Sequence, residues 1–101
     1  MTERIATVAF EGELETHLWE QLRDGIVDAA TEGVTCVVVD LSAVTYFDSS
    51  AIRALLGARS QLEPRGVAIE LGACSPIVHD VVRVTQIDQA FPWHILDVQA
   101  E

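Results

Sequence analysis

At 101 residues, half of them apolar, the chain is long enough for one domain with its own core, near the small end of that range. Six arginines, no lysine and sixteen acidic residues give a formal charge of −10, a surface that repels nucleic-acid phosphates and anionic lipid heads and favours a partner with a basic face. No apolar run approaches the ~20 residues of a membrane span, so neither nucleic acid nor membrane insertion is expected.

Met1-Thr2-Glu3-Arg4 is not followed by the long apolar core and cleavage site of a secretory signal, which points to the cytoplasm. Ile5 to Phe10 then alternates, Ile5, Thr7 and Ala9 against Ala6, Val8 and Phe10, as a strand does, and Glu11-Gly12-Glu13 marks a turn after it. Thr16 is placed to cap a helix through roughly Thr31, with Leu18, Leu22, Ile26 and Ala29 as its apolar stripe and Gly33 at its end. Trp19 falls at the edge of that stripe. His17 has no second ligand one turn on and makes no metal site.

Val34 to Val39 is apolar and mostly β-branched, which suits a central strand covered on both sides or running parallel to its neighbours. Asp40 closes it, and a loop over Ser42 to Tyr46 is expected to lead to the next helix. Pro64-Arg65-Gly66 stops that helix, and Val67 to Leu71 is a third strand with Glu70 facing away from Val67, Ile69 and Leu71. Ser75 as cap and Pro76 at the first helical position start another helix, where the missing proline N–H costs nothing. Its apolar side is Ile77, Val78, Val81 and Val82, its polar side Asp80 and Arg83, and His79 is a surface side chain. Phe91-Pro92 leads into a short terminal strand over Trp93 to Val98. Cys36 and Cys74 form no Cys-x-x-Cys pair and lie in strand regions, which predicts buried, reduced thiols.

The segment Asp40 to Leu62 carries what is specific. Asp48 is placed to cap the helix that follows, and Phe47 before it and Ile52 after it occupy the positions of a hydrophobic staple. Ile52, Leu55, Leu56 and Leu62 form the expected buried stripe, with Arg53, Arg59 and Gln61 off it. Ser49 and Ser50 fall in the first turn, where a phosphate would add about −1.5 to −2 charges beside the positive end of the helix dipole. Read plainly, Asp-Ser-Ser is a helix start, since capping alone accounts for these residue types. No Ser sits in a Gly-x-Ser-x-Gly elbow and no phosphate loop of Walker type is present, so neither an enzyme nor a nucleotide or other cofactor is expected.

The run Val37-Val38-Val39-Asp40-Leu41-Ser42, followed by Tyr46-Phe47-Asp48-Ser49-Ser50-Ala51-Ile52 and Ala54-Leu55-Leu56, resembles the signature of STAS domains, the sulfate transporter and anti-sigma factor antagonist family. Phe10-Glu11-Gly12-Glu13-Leu14 and Cys74-Ser75-Pro76 fall where that family has its Gly-Glu-Leu turn and Ser-Pro helix start. The resemblance implies a single α/β domain over residues 1–101, with a mixed central sheet of about four strands and helices packed against it. In the anti-sigma factor antagonist branch the second serine of the motif accepts the phosphate, which carries over to Ser50. The partner-binding surface would be Asp48, Ser49, Ser50, Ala51 and Arg53. Ala51 replaces the family's usual Gly, and Glu15 its usual Asp.

The function so implied is binding of an anti-sigma factor with Ser/Thr kinase activity, which frees a sigma factor until phosphorylation at Ser50 breaks the complex. An accessory subunit of an ABC lipid transporter and a structural module of a stress-signalling assembly are the alternatives. Relative to the family the chain looks trimmed at both ends, which would leave a sheet edge or apolar patch open to pairing with a second copy, a homodimer.

Overall fold

A computed structural model describes residues 4–14 and 19–94. In chain order the elements are β1 (Ile5–Leu14), α1 (Trp19–Ala29), β2 (Cys36–Phe47), α2 (Ser49–Leu62), a 3-10 turn at Glu63–Arg65, β3 (Ala68–Cys74), α3 (Pro76–Thr85) and a second 3-10 turn at Ile87–Gln89. The architecture is α/β.

β2 is the central strand, parallel to β1 on one side and to β3 on the other. Parallel neighbours need a crossover, and α1 and α2 supply the two. Cys36, Val37, Val38, Val39 and Leu41 are all buried, as the continuous apolar run requires of a strand covered on both sides. Val37, Val39, Ile69 and Leu71 share one cluster with Leu22 and Ile26 of α1 and with Leu55 and Leu62 of α2. α3 adds Val78 and Val82, and Phe91 is fully buried in the same core.

The sheet departs from the expectations in its strand count, its direction and its last strand. Among the described residues the sheet has three strands rather than four and is parallel rather than mixed. Of the terminal strand expected over 93–98, the described part is one parallel bridge between Leu71 and Trp93. There the Leu71 N–H donates to the Pro92 carbonyl and the His94 N–H to the Leu71 carbonyl, both at 2.8 Å. Residues 95–98 lie outside the described part.

β1 does not turn at Gly12. It runs on to Leu14: Gly12 takes a left-handed φ of 82°, which glycine enters cheaply, and beside it the register shifts, with Thr45 of β2 as the extra residue. β2 likewise continues past Asp40 through the expected loop to Phe47. The register with β3 shifts between Val39 and Leu41, and the Asp40 carboxylate accepts the Ser42 N–H at 2.9 Å, so the interruption is absorbed inside the strand.

α1 ends at Ala29, two residues short of Thr31, and Gly33 follows at a φ of 89°. Its expected cap Thr16, with His17 and Leu18, lies outside the described residues. Trp19 is half-buried against the core, and the Arg23 guanidinium lies 5.0 Å from its ring centroid. Cys36 and Cys74 are both free thiols, the first buried and the second half-buried. Among the described residues no helix is long and apolar enough to cross a membrane.

Candidate functional site

β1, β2 and β3 run the same way; β1 and β2 end together at the Leu14–Phe47 pair, whereas β3 ends at Cys74 beside Leu41, six residues before the end of β2. α2 and α3 each begin two residues after the strand before them, with a single capping residue, Asp48 or Ser75, in between. In open parallel sheets the carboxyl edge is where ligands and partners are met.

Asp48 sits between strand and helix with extended backbone (φ −123°, ψ −171°). Its Oδ1 accepts the backbone N–H of Ser50 at 3.0 Å and of Ala51 at 3.3 Å, so two of the donors that an α-helix leaves without an internal partner are satisfied by one carboxylate. Phe47 is buried and Ile52 half-buried, both in the core, as a staple requires. The first turn of α2 is thus held from both sides. α3 starts in the same way with a weaker cap, the Ser75 Oγ accepting from Val78 N–H at 3.5 Å with Pro76 next in line.

On this frame Ser49 is exposed and Ser50 half-buried. Arg53, also exposed, stands four residues after Ser49 and three after Ser50, the spacings that bring side chains together on a helix surface. Ala51 is only 1% exposed and packs into the core. It belongs to the inner stripe Ala51, Ala54, Leu55, Ala58 and Leu62, so its methyl group is directed away from any contact surface. Of the five positions expected to bind a partner, the structure therefore sets Asp48, Ser49, Ser50 and Arg53 near the surface and Ala51 inside. Leu56 is the reverse case: spacing assigned it to the buried stripe, and it is 44% exposed. Alanines take the inner positions, so the turn of the helix that seals the core is offset from the one the larger side chains suggest.

Asp40 lies next to the Leu41–Cys74 pair, where β3 ends. Hydrogen bonds from Ser42, backbone first and side chain second, hold the Asp40 carboxyl below its usual value. Burial pushes the Cys74 thiol up to about 11, and the Asp40 charge adds to the shift. A thiol so disfavoured as thiolate is a poor nucleophile near neutral pH. Among the described residues no group of His, Cys, Asp and Glu could hold a metal ion. A shallow cavity of about 340 Å³, lined by Arg59, Glu63, Val67, Ile69, Ala90 and Pro92, lies at the far end of α2 from Ser50.

Comparison with known proteins gives the same frame. The STAS domain model matches residues 1–100. A STAS-domain containing protein of Pseudomonas aeruginosa strain UCBPP-PA14 is 39% identical over 54 residues, 54% of this chain and 54% of that protein, so the match spans about half of each. Among solved structures the chain is similar to the anti-sigma factor antagonist SpoIIAA in its unphosphorylated form, with a TM-score of 0.72 at 24% identity over 97% of this chain and 86% of that one. The phosphorylated form of the Bacillus cell fate determinant SpoIIAA gives 0.63 at 23% identity over 97% and 89%. A sulfate transporter family protein from Wolinella succinogenes gives 0.69 at 17% identity over 85% and 70%. At these identities the structural likeness speaks for the fold, and with the family match it leads to one conclusion: the chain belongs to the STAS domain family.

Proposed function

We propose that this domain is an anti-sigma factor antagonist that works by partner switching in the cytoplasm, a binding module rather than an enzyme. In its unphosphorylated form it binds an anti-sigma factor with Ser/Thr kinase activity through Asp48, Ser49, Ser50 and Arg53, and so frees a sigma factor. Phosphorylation of Ser50 ends the complex.

The observation that carries this reading is the setting of Ser50. It is the second residue of a helix whose start is already secured by Asp48 at 3.0 and 3.3 Å, so a phosphate on its side chain competes with no cap. The added charge, about −1.5 to −2, falls beside the positive helix end, where the fold tolerates it. A partner seated over Ser50 does not tolerate it, because the dianion must be desolvated against the contact surface. The similarity to SpoIIAA in both its forms supports the same choice.

The similarity to a sulfate transporter family protein favours a second reading, a STAS module docked on a transporter with Ser50 unmodified. Peptide mass spectrometry across Phe47 to Arg53, on protein isolated from its own cells under several growth and stress conditions, separates the two. Phosphate on Ser50 is the expected result. Full coverage of the peptide without phosphate under every condition would move the assignment to the transporter module.

A further inference from the structure

From Leu41 to Leu62 the chain carries one acidic residue, Asp48, and two arginines, Arg53 and Arg59, in a protein with sixteen acidic side chains. The Asp48 carboxylate is engaged by two backbone N–H groups, and Arg59 lies 3.4 Å from Glu63 one turn further on. Arg53 is exposed and has no ion pair with any described residue. Ser49, Arg53, Leu56 and Ser60, at spacings of four, three and four, form the outer side of α2, and all four are exposed. This side therefore carries one guanidinium and no carboxylate, with an apolar side chain projecting from its middle, on a protein that is strongly anionic.

We infer that the outer side of α2 docks on a partner surface with an apolar socket for Leu56 beside a carboxylate for Arg53. The inference rests on the partner-switching reading and names the contact chemistry of the partner. Net charge sets the long-range attraction and favours a cationic molecule overall, whereas charge pairing at the contact is decided by the side chains that meet there. A basic patch over α2 would set like charges against Arg53. A second copy of this chain is disfavoured, since it brings another −10 and meets this side with its own arginine. The other exposed apolar side chains on a helix, Ile77 and Val84 of α3, have no comparable local reversal of charge.

The arrangement also gives the switch a two-part action. A phosphate on Ser50, three residues before Arg53, lies within reach of the guanidinium and would draw it away from the partner. The same dianion would face the partner's carboxylate. One modification thus removes an attraction and adds a repulsion.

The test is site-specific photocross-linking of the full chain in cells, with p-benzoylphenylalanine placed at position 60 at the rim of the face, at position 56 in its centre, and at position 84 of α3 as the control. The linked partner peptide is sequenced by mass spectrometry. The expected result is a cross-link from position 60 or 56 to a peptide bearing Asp or Glu, with its yield lowered at least about tenfold by Arg53→Glu and kept by Arg53→Lys. Cross-links from position 84 alone, none from any position, a basic linked peptide, or a yield indifferent to Arg53→Glu would each overturn the inference. Ser50→Asp is read in parallel. An acidic peptide captured as well by Ser50→Asp as by the unmodified chain would leave the docking chemistry standing and remove the switch.

Discussion

The Oδ1 atom of Asp48 lies 3.0 Å from the backbone nitrogen of Ser50, so the cap of α2 and the proposed phosphoacceptor are joined through the main chain. The hydroxyl of Ser50 takes no part in that bond. The cap and the modification are therefore separable by mutation, and the first two predictions use this.

Asp48→Ala should destabilise the protein by about 0.5–2 kcal/mol, because two backbone donors lose their partner, whereas Asp48→Asn should retain most of the stability. Urea unfolding of the three proteins measures it, as a shift of midpoint at constant slope. Equal stability of Asp48→Ala and the parent would mean that water serves these donors as well as the carboxylate does.

Ser50→Asp should leave stability unchanged or raised by about 0.3–1 kcal/mol, since a negative charge near a helix start is favourable. Its binding to a kinase-type anti-sigma factor should fall by more than about tenfold, or 1.4 kcal/mol, while Ser50→Ala binds irrespective of kinase and ATP. Thermal melts and calorimetric titration read the two effects separately. Tight binding by Ser50→Asp would exclude charge as the means of release.

Ala51→Leu should cost about 1–3 kcal/mol by overpacking, because position 51 is sealed in the core at 1% exposure. Ala51→Gly, the residue usual in the family, should cost about 0.5–1 kcal/mol through backbone entropy. Thermal melts check both. If Ala51→Leu is as stable as the parent and impairs only partner binding, position 51 faces outward.

The raised Cys74 thiol predicts a pH dependence with a definite sign. The native state keeps its proton to about pH 11, whereas the unfolded chain releases it near the thiol's ordinary value of 9.0. Between these values the native state binds more protons, so stability falls as pH rises from about 9 to about 11 and the contribution is complete below that window. Cys74→Ala should flatten this part of the urea-stability profile. An unchanged slope would show that the thiol reaches solvent more freely than its half-buried position implies.

Much of this was legible in the sequence, and the failures have a common cause. Asp48, Ser75-Pro76 and the Cys36–Val39 run act through nearest neighbours, so short-range chemistry identified them. The ends of β1 and β2 did not follow from alternation, because the bulges at Gly12 and Asp40 break it. Beyond Asp40 the buried residues are Leu41, Val44 and Phe47, a spacing of three that reads as neither strand nor helix. Spacing points Leu56 inward because leucine carries a hydrophobic signal and alanine almost none, although Ala51, Ala54 and Ala58 take the buried positions. The strand count was set by resemblance, and beyond Trp93 and His94 the expected fourth strand lies outside the described residues.

The alanines beneath α2 bear on how fast and how far a signal travels. Apart from Leu55 and Leu62 the inner side of α2 is alanine, so at Ala51, Ala54 and Ala58 it has no long side chain whose rotamer change would let the helix slide or tilt. A mark written at Ser50 is then displayed where it is written, as a label on a rigid mount. Release would be timed by the enzymes that add and remove the label, with no slow rearrangement of the domain in between, and crystal forms of the two states should superpose along the whole of α2.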